Sequence, residues 1–160
     1  MESPMRPEIV TGDLLDQEVD VIVNSWNRNV IPWWLLLPQG VSGALKKRGG
    51  TAPFKELAKY GPIPLGEARL TSAGTLGFKA IIHVAGINMF WCATEYSVTR
   101  SVLNAMKIID ERGYKSAAFP LIGAGSGNRG EEWSLELMLK AFDTLDSDCS
   151  VAIVRYDNRR

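Results

Sequence analysis

The chain has 160 residues and few of the residue types that build disulfide frameworks or metal sites. It contains two cysteines, Cys92 and Cys149, and one histidine, His83. None of them lies in a C-x-x-C pair or at a cysteine/histidine spacing typical of a metal site. A structural zinc site is therefore not expected, and the chain suits a reducing compartment.

The chain also lacks net charge and long apolar runs. Its 18 basic and 18 acidic residues cancel, so no overall field attracts DNA or an anionic membrane, and any anionic ligand must be bound by local groups. No leader pattern is present at the N-terminus, and no run approaches the ~20 apolar residues that span a bilayer. We expect a cytoplasmic protein with no membrane contact, one domain over 1–160, as a monomer or weak homo-oligomer.

Alternating segment types predict an α/β fold. Stretches with helical spacing separate short runs of β-branched and apolar residues, and this alternation predicts a three-layer α/β/α sandwich. The helices centre on Val98 to Ile109, closed by Gly113, and on Trp133 to Leu145, and a shorter helix is expected from Val41 to the Gly49-Gly50 pair. The predicted strands are 8–10, 19–23, 67–72, 80–85, 116–122 and 150–154.

Two glycine-containing loops follow predicted strands, where ligands of open α/β sheets usually bind. Residues 121–127 read LIGAGSG, and glycine at alternate positions allows positive φ and close approach of a ligand to the backbone. Residues 40–43 read GVSG at the start of a predicted helix and offer further amide donors. Together the loops suit a diphosphate, although each alone is equally typical of a tight connection. A dinucleotide fingerprint fits poorly, with Asn128 at its third glycine position, and no Walker lysine follows.

Polar residues at two other strand ends suit a nucleoside. The carboxylate of Asp13 can accept a hydrogen bond from a neutral amine such as that of adenine, although a turn or helix cap is the alternative. The amides of Asn24 and Asn27 can donate to and accept from ribose hydroxyls, and turn chemistry is again the alternative. We interpret His83 as a strand histidine with local hydrogen bonds, since no serine or cysteine nucleophile motif accompanies it.

The order and spacing of these segments resemble the macrodomain family across almost the whole chain. Macrodomains show an early G-D-[ILV], then V-N-A-A-N, a G-V-D-G-A loop, I-I-H and a P-x-x-x-x-G loop. The corresponding segments here are 12–14 (GDL), 23–27 (VNSWN), 40–44 (GVSGA), 81–83 (IIH) and 120–125 (PLIGAG). Within the family, the chain resembles the ADP-ribosyl hydrolase or O-acetyl-ADP-ribose deacetylase type. The resemblance implies a central mixed, mostly parallel sheet and binding of ADP-ribose, free or attached to a protein or nucleic acid, with no cofactor.

The resemblance also implies a role for each matching position. Asp13 would contact adenine, with Tyr156 or Asp157 beside the ring, and Asn27 would meet the distal ribose. Leu14 and Asn24 would also contact the ligand. The diphosphate would be bound by Gly40, Val41, Ser42, Gly123, Ala124, Gly125, Ser126, Gly127 and Asn128.

The main departure concerns the chemistry. Ser42 stands where hydrolytic relatives often carry aspartate, and a serine without a neighbouring base cannot take a proton at neutral pH. We name Asn27 and Ser42 as candidate catalytic residues, with water oriented or activated by the substrate's own diphosphate. The alternatives are a non-catalytic reader of ADP-ribosylated targets and a binder of another nucleotide or RNA end.

The other departures lie around the distal ribose and the last strand. Trp26 replaces a small residue and reshapes the strand end or the ribose pocket. The apolar segment 30–38, with Trp33 and Trp34, packs over the core, forms a wall of the ribose site or meets a partner. Gly127, Asn128 and Arg129 stand where the family often has an aromatic over the distal ribose, and Arg129 pairs with phosphate or faces solvent. The usual closing helix is expected to be absent after the last strand.

Overall fold

The described residues form a six-stranded sheet in a computed structural model, which describes residues 5–26, 45, 47–86, 93–124 and 130–156, with the backbone alone for residue 156. Five of these strands run parallel to one another. The strands are β1 (Glu8–Gly12), β2 (Val21–Trp26), β3 (Ala68–Thr71), β4 (Ala80–Ala85), β5 (Ser116–Pro120) and β6 (Ser150–Tyr156).

The strand order is β1-β6-β5-β2-β4-β3, and only β3 runs antiparallel to its neighbour among these strands. This arrangement confirms the predicted mixed, mostly parallel sheet. In register, Gly12 pairs with Tyr156 and Trp26 pairs with Ala85. The carboxyl ends of the five parallel strands therefore meet at one edge of the sheet, which we call the carboxyl edge.

The helices are α1 (Ala52–Ala58), α2 (Glu95–Arg112) and α3 (Glu131–Asp143), with a 3-10 turn at Leu14–Asp16. A capping box between Thr94 and Ser97 starts α2, and Gly113 ends it with φ of 70°, as the sequence predicted. Residues 45 and 47–49 are also helical, and this helix ends before Gly50, whose φ is 77°. The short α1 was not predicted.

Two apolar clusters lie on opposite faces of the sheet and confirm the three-layer sandwich. On the first face, α2 and α3 cover the strands, and the buried rings of Phe119 and Phe142 meet edge to face at 5.2 Å. On the second face, α1, the 3-10 turn and Leu45 pack over Ile22 and Ile81. None of the described helices has the length and apolar character needed to cross a membrane.

Asp20 joins three strands at the amino edge of the sheet. Its Oδ2 accepts from the Lys115 amide at 2.8 Å, its own amide donates to Ser116 Oγ at 2.9 Å, and its carbonyl accepts from the Lys79 amide at 2.7 Å. The hydrogen bond from Lys115 holds the pKa of Asp20 below its usual value. The starts of β2, β4 and β5 are thereby fixed together, at the edge opposite the predicted ligand loops.

Candidate functional site

The carboxyl edge brings together the ends of β1, β6, β5, β2 and β4. Of the predicted site residues, the structure describes Asp13, Leu14, Asn24, Gly123, Ala124 and the backbone of Tyr156. Outside the described residues lie Asn27, Gly40, Val41, Ser42, Gly125, Ser126, Gly127, Asn128 and Asp157, together with segment 30–38 and Arg129.

Asp13 lies at the end of β1 and caps the 3-10 turn that follows. Its Oδ1 accepts from the Leu15 amide at 2.9 Å, which confirms the capping alternative. Its Oδ2 lies 3.8 Å from Arg48 Nη1, and the side chain is 30% exposed. One carboxylate oxygen is thus used by the backbone, whereas the second retains lone pairs for a further donor. Leu14 has a buried side chain, so a ligand at this position would meet its backbone.

Tyr156 pairs in register with Gly12, the residue before Asp13. Because β1 and β6 are parallel neighbours, the two strands end at adjacent points of the carboxyl edge. The predicted neighbourhood of Asp13 and Tyr156 therefore agrees with the backbone register.

Gly123 starts the glycine loop after β5 and has φ of +86°, the left-handed conformation predicted for this loop. A Cβ there would lie 2.5 Å from the Cβ of Ala93, so packing as well as φ requires glycine. Ser134 of α3 donates to the Ile122 carbonyl at 2.5 Å, and Ala124 donates its amide to Leu121. The start of this loop is therefore held to α3 and lies close against Ala93, just before α2.

Asn24 and His83 are adjacent across β2 and β4, and both are fully buried. Asn24 Nδ2 lies 3.0 Å from His83 Nδ1, and Thr71 Oγ1 lies 2.8 Å from His83 Nε2. Burial lowers the pKa of His83 to about 3, so the ring is neutral at physiological pH. The interpretation of His83 as a strand histidine with local hydrogen bonds is confirmed. The Asn24 amide nitrogen therefore bonds to His83 in the interior, on the face of the sheet that α1 covers.

Trp26 ends β2 with its ring in the second apolar cluster. The side chain is 3% exposed, and its ring centroid lies 5.2 Å from that of Phe54 in α1. The replacement of a small residue by tryptophan therefore shapes the core beneath the strand end.

Two arginines bind acidic groups near the carboxyl edge and were not singled out from the sequence. Arg48 lies 3.3 Å from an oxygen of Asp16, in addition to its approach to Asp13. Arg155 in β6 lies 3.1 Å and 2.9 Å from carboxylate oxygens of Glu131 and Glu132 in the first turn of α3. These hydrogen bonds raise the pKa of Arg155. The ion pairs of Arg155 connect the start of α3 to β6, the strand that ends beside Asp13.

Within the described part of the chain, no three histidine, cysteine, aspartate or glutamate side chains cluster as a metal site would require. An open groove extends from Asp20 and Phe78 at the amino edge to Gln17 and Arg48. Its lining includes neither Gly123 nor the last residue of β6.

Comparison with known proteins gives one consistent family. The Macro domain model matches residues 23–138. A macro domain-containing protein of Caldanaerobacter subterraneus is 31% identical over 157 residues, covering 93% of this chain and 86% of its own length. The O-acetyl-ADP-ribose deacetylase of Escherichia fergusonii is 34% identical over 128 residues, covering 75% and 68%. A mutant Oceanobacillus iheyensis macrodomain, solved with ADPR, has a TM-score of 0.81 at 25% identity, covering 94% of this chain and 85% of that one.

Proposed function

Because the chain belongs to the macrodomain family, we propose that it binds ADP-ribose at the carboxyl edge of its sheet. The relative from Oceanobacillus iheyensis, whose structure was solved with ADPR, supports this proposal. The ligand is free ADP-ribose or ADP-ribose attached to a protein or nucleic acid. We propose a cytoplasmic, monomeric or weakly associating protein.

The observation that carries the proposal is the position of Asp13 beside the end of β6. Its Oδ1 is used by the Leu15 amide, and Oδ2, 3.8 Å from Arg48 Nη1, remains an acceptor on a side chain that is 30% exposed. A carboxylate accepts hydrogen bonds and cannot donate them when ionised, so it suits the exocyclic amine of adenine and disfavours a carbonyl at that position. The backbone register of Gly12 and Tyr156 supports an adenine site between these two strand ends.

Gly123 supports a diphosphate site on the next strand. The sheet order places β5 directly beside β6, so a ligand with adenine at β6 would extend its diphosphate towards the loop after β5. The left-handed Gly123 opens this loop without a side chain in the way. A chain with no net charge can bind a diphosphate in this manner, through backbone amides contributed by the two glycine loops.

We propose further that the protein hydrolyses the bond between the distal ribose and its attached group. The relative named O-acetyl-ADP-ribose deacetylase supports this activity. Water would supply a hydroxyl to one product and a proton to the other. Since Ser42 cannot act as a general base, the substrate diphosphate would orient or activate the water and Asn27 would align the ribose. The same serine favours the second candidate function, a non-catalytic reader.

Calorimetric titration with ADP-ribose tests the binding proposal, with Asp13→Asn as the variant. Asparagine can keep the cap by accepting from Leu15 through Oδ1, but it then presents Nδ2, a donor, to the adenine amine. Loss of one charge-assisted hydrogen bond corresponds to about 1.5–3 kcal/mol, so we expect affinity to fall about 10- to 100-fold.

Asp16→Asn is the matched control, because Asp16 also pairs with Arg48 but does not cap the turn. It should stay within about twofold of the original chain, since exposed ion pairs contribute little. No binding of ADP-ribose at near-millimolar concentrations would contradict the proposal, and equal losses in the two variants would contradict the role of Asp13.

Single-turnover assays separate the hydrolase from the reader. The substrates are O-acetyl-ADP-ribose, a mono-ADP-ribosylated acidic peptide and ADP-ribosylated DNA. Binding with release of ADP-ribose supports a hydrolase, and Asn27→Ala should then lower turnover more than affinity. Binding without release from any of the three would favour the reader.

A further inference from the structure

A line of polar side chains crosses three strands inside an otherwise apolar layer. Asn24 on β2, His83 on β4 and Thr71 on β3 are each at most 4% exposed, and they lie beneath α1 near Ile22 and Ile81. Buried polar groups are costly unless each is hydrogen bonded. Each of these three side chains must therefore have a hydrogen-bond partner in the interior.

The hydrogen bonds determine the tautomer of His83. Thr71 Oγ1 donates its one proton to the Ser72 carbonyl at 3.0 Å, so it accepts from His83 Nε2 at 2.8 Å. The proton of the neutral ring is then on Nε2. Nδ1 is left as the acceptor for Asn24 Nδ2 at 3.0 Å.

This pairing also specifies the register of β2 against β4. Asn24 and His83 are direct partners, and a slip by one residue would bring Val23 or Ser25 opposite His83 and turn Asn24 to the other face. The ring would then lose its partner in the core.

The same group of side chains extends to the end of β2. Trp26 lies two residues beyond Asn24 on the same face and packs on Phe54. The ring centroid of Phe54 lies 5.9 Å from that of His83, and the two rings meet edge to face. The Trp26 carbonyl accepts from the Gly86 amide at 3.1 Å. The last strand residue before position 27 is therefore held from both its side chain and its backbone.

We infer that His83 is a positioning residue of the proposed ADP-ribose site, acting through Asn24 on the end of β2 at the carboxyl edge. The inference rests on the proposed function. His83 does not touch the ligand, and its contribution is to keep the ribose-side end of β2 in one register.

The His83 ring makes two hydrogen bonds, to Asn24 and to Thr71, and two substitutions each keep one and remove the other. His83→Asn places an amide oxygen near the position of Nδ1 and keeps an acceptor for Asn24, but it cannot reach Thr71. His83→Gln places an amide nitrogen near the position of Nε2 and keeps a donor to Thr71, but it loses the acceptor for Asn24. Each variant loses one hydrogen bond, so urea unfolding should show similar losses of stability.

ADP-ribose affinity of the folded variants, measured by calorimetry, should differ between them. We expect His83→Asn to stay within about twofold of the original chain and His83→Gln to bind about tenfold more weakly, since small displacements of positioning groups have effects of this order or larger. Equal affinities in the two variants would overturn the inference while leaving the proposed function intact. No binding by the original chain would overturn both.

Nitrogen NMR of the unaltered protein gives a second test that needs no folded variant. We expect the Nε2–H tautomer, with Nδ1 unprotonated between pH 5 and 8 and on saturation with ADP-ribose. A proton on Nδ1, in either state, would overturn the inference because Asn24 would then lose its acceptor.

Discussion

Substitution of Gly123 by alanine should lower both stability and ligand affinity. An L residue in the left-handed region costs about 1–2 kcal/mol. The new Cβ would also lie 2.5 Å from the Cβ of Ala93, and overpacking of a core contact costs about 1–3 kcal/mol more. We therefore expect Gly123→Ala to be destabilised by about 2–5 kcal/mol in total, which for a chain of 160 residues is a Tm lower by about 4–20 °C.

Two other glycines separate the causes. Gly113 has φ of 70°, and a Cβ added there would meet no atom within 4 Å, so Gly113→Ala should lose only the backbone part, about 1–2 kcal/mol. Gly77 is outside the left-handed region and equally open, so Gly77→Ala should change stability by no more than about 0.5 kcal/mol. Urea unfolding of the three variants measures the series.

Affinity for ADP-ribose provides the functional part of the same experiment. Gly123→Ala must move the loop after β5 away from Ala93, so its folded form should bind more weakly. Gly113 lies before β5, at the amino edge, and Gly113→Ala should bind normally. If Gly113→Ala and Gly123→Ala were destabilised equally, the packing argument would be refuted. Unchanged affinity in Gly123→Ala would refute the placement of the diphosphate at this loop.

Three further predictions concern the core. Burial lowers the pKa of His83 from 6.5 to about 3, so the folded protein requires the neutral ring. Its contribution to stability is complete above pH 6.5 and decreases as the pH falls. By pH 5 the free energy of unfolding, measured in urea, should be lower by about 2 kcal/mol. His83→Asn should remove this slope, and an unchanged slope would contradict the assignment. Ser101 has a buried hydroxyl with no partner within the described structure, so Ser101→Ala should be neutral or stabilise by about 1 kcal/mol in thermal unfolding, whereas a clear loss would indicate a bound partner. Trp26→Ala should lose about 3–5 kcal/mol of unfolding free energy, since its ring packs on Phe54, and a loss below about 1 kcal/mol would show that the ring is not in the core.

The strands were predictable because each is short, apolar and bounded by turn residues. The predicted runs 80–85 and 116–122 correspond to β4 and β5, and Gly113 ends α2 as expected. The short α1 was missed, since seven residues give too little periodicity to exceed the noise. Its available signal was Pro53 in the first turn, a position that proline favours.

The long-range ion pairs could not be predicted from sequence. Arg48 meets Asp16 across 32 residues, and Arg155 meets Glu132 across 23 residues. In a chain with 18 residues of each sign, composition offers no means of choosing these partners. Only the sheet order, with β6 between β1 and β5, brings Arg155 within reach of α3.

Asn24 differs from these pairs, because the face of β2 on which its side chain lies can be predicted from the sequence. Side chains alternate between the faces of a strand, so Ile22, Asn24 and Trp26 must point to the same side of β2. A tryptophan at the end of a buried strand is most easily accommodated in a core, and that places the Asn24 amide in the core with it. A buried amide requires a buried partner, and the single histidine of the chain lies in the middle of another apolar strand, 81–84. The pairing of Asn24 with His83 follows once these two strands are adjacent. We therefore propose different roles for the two asparagines of this motif: Asn24 keeps the end of β2 in place, and Asn27 meets the ligand.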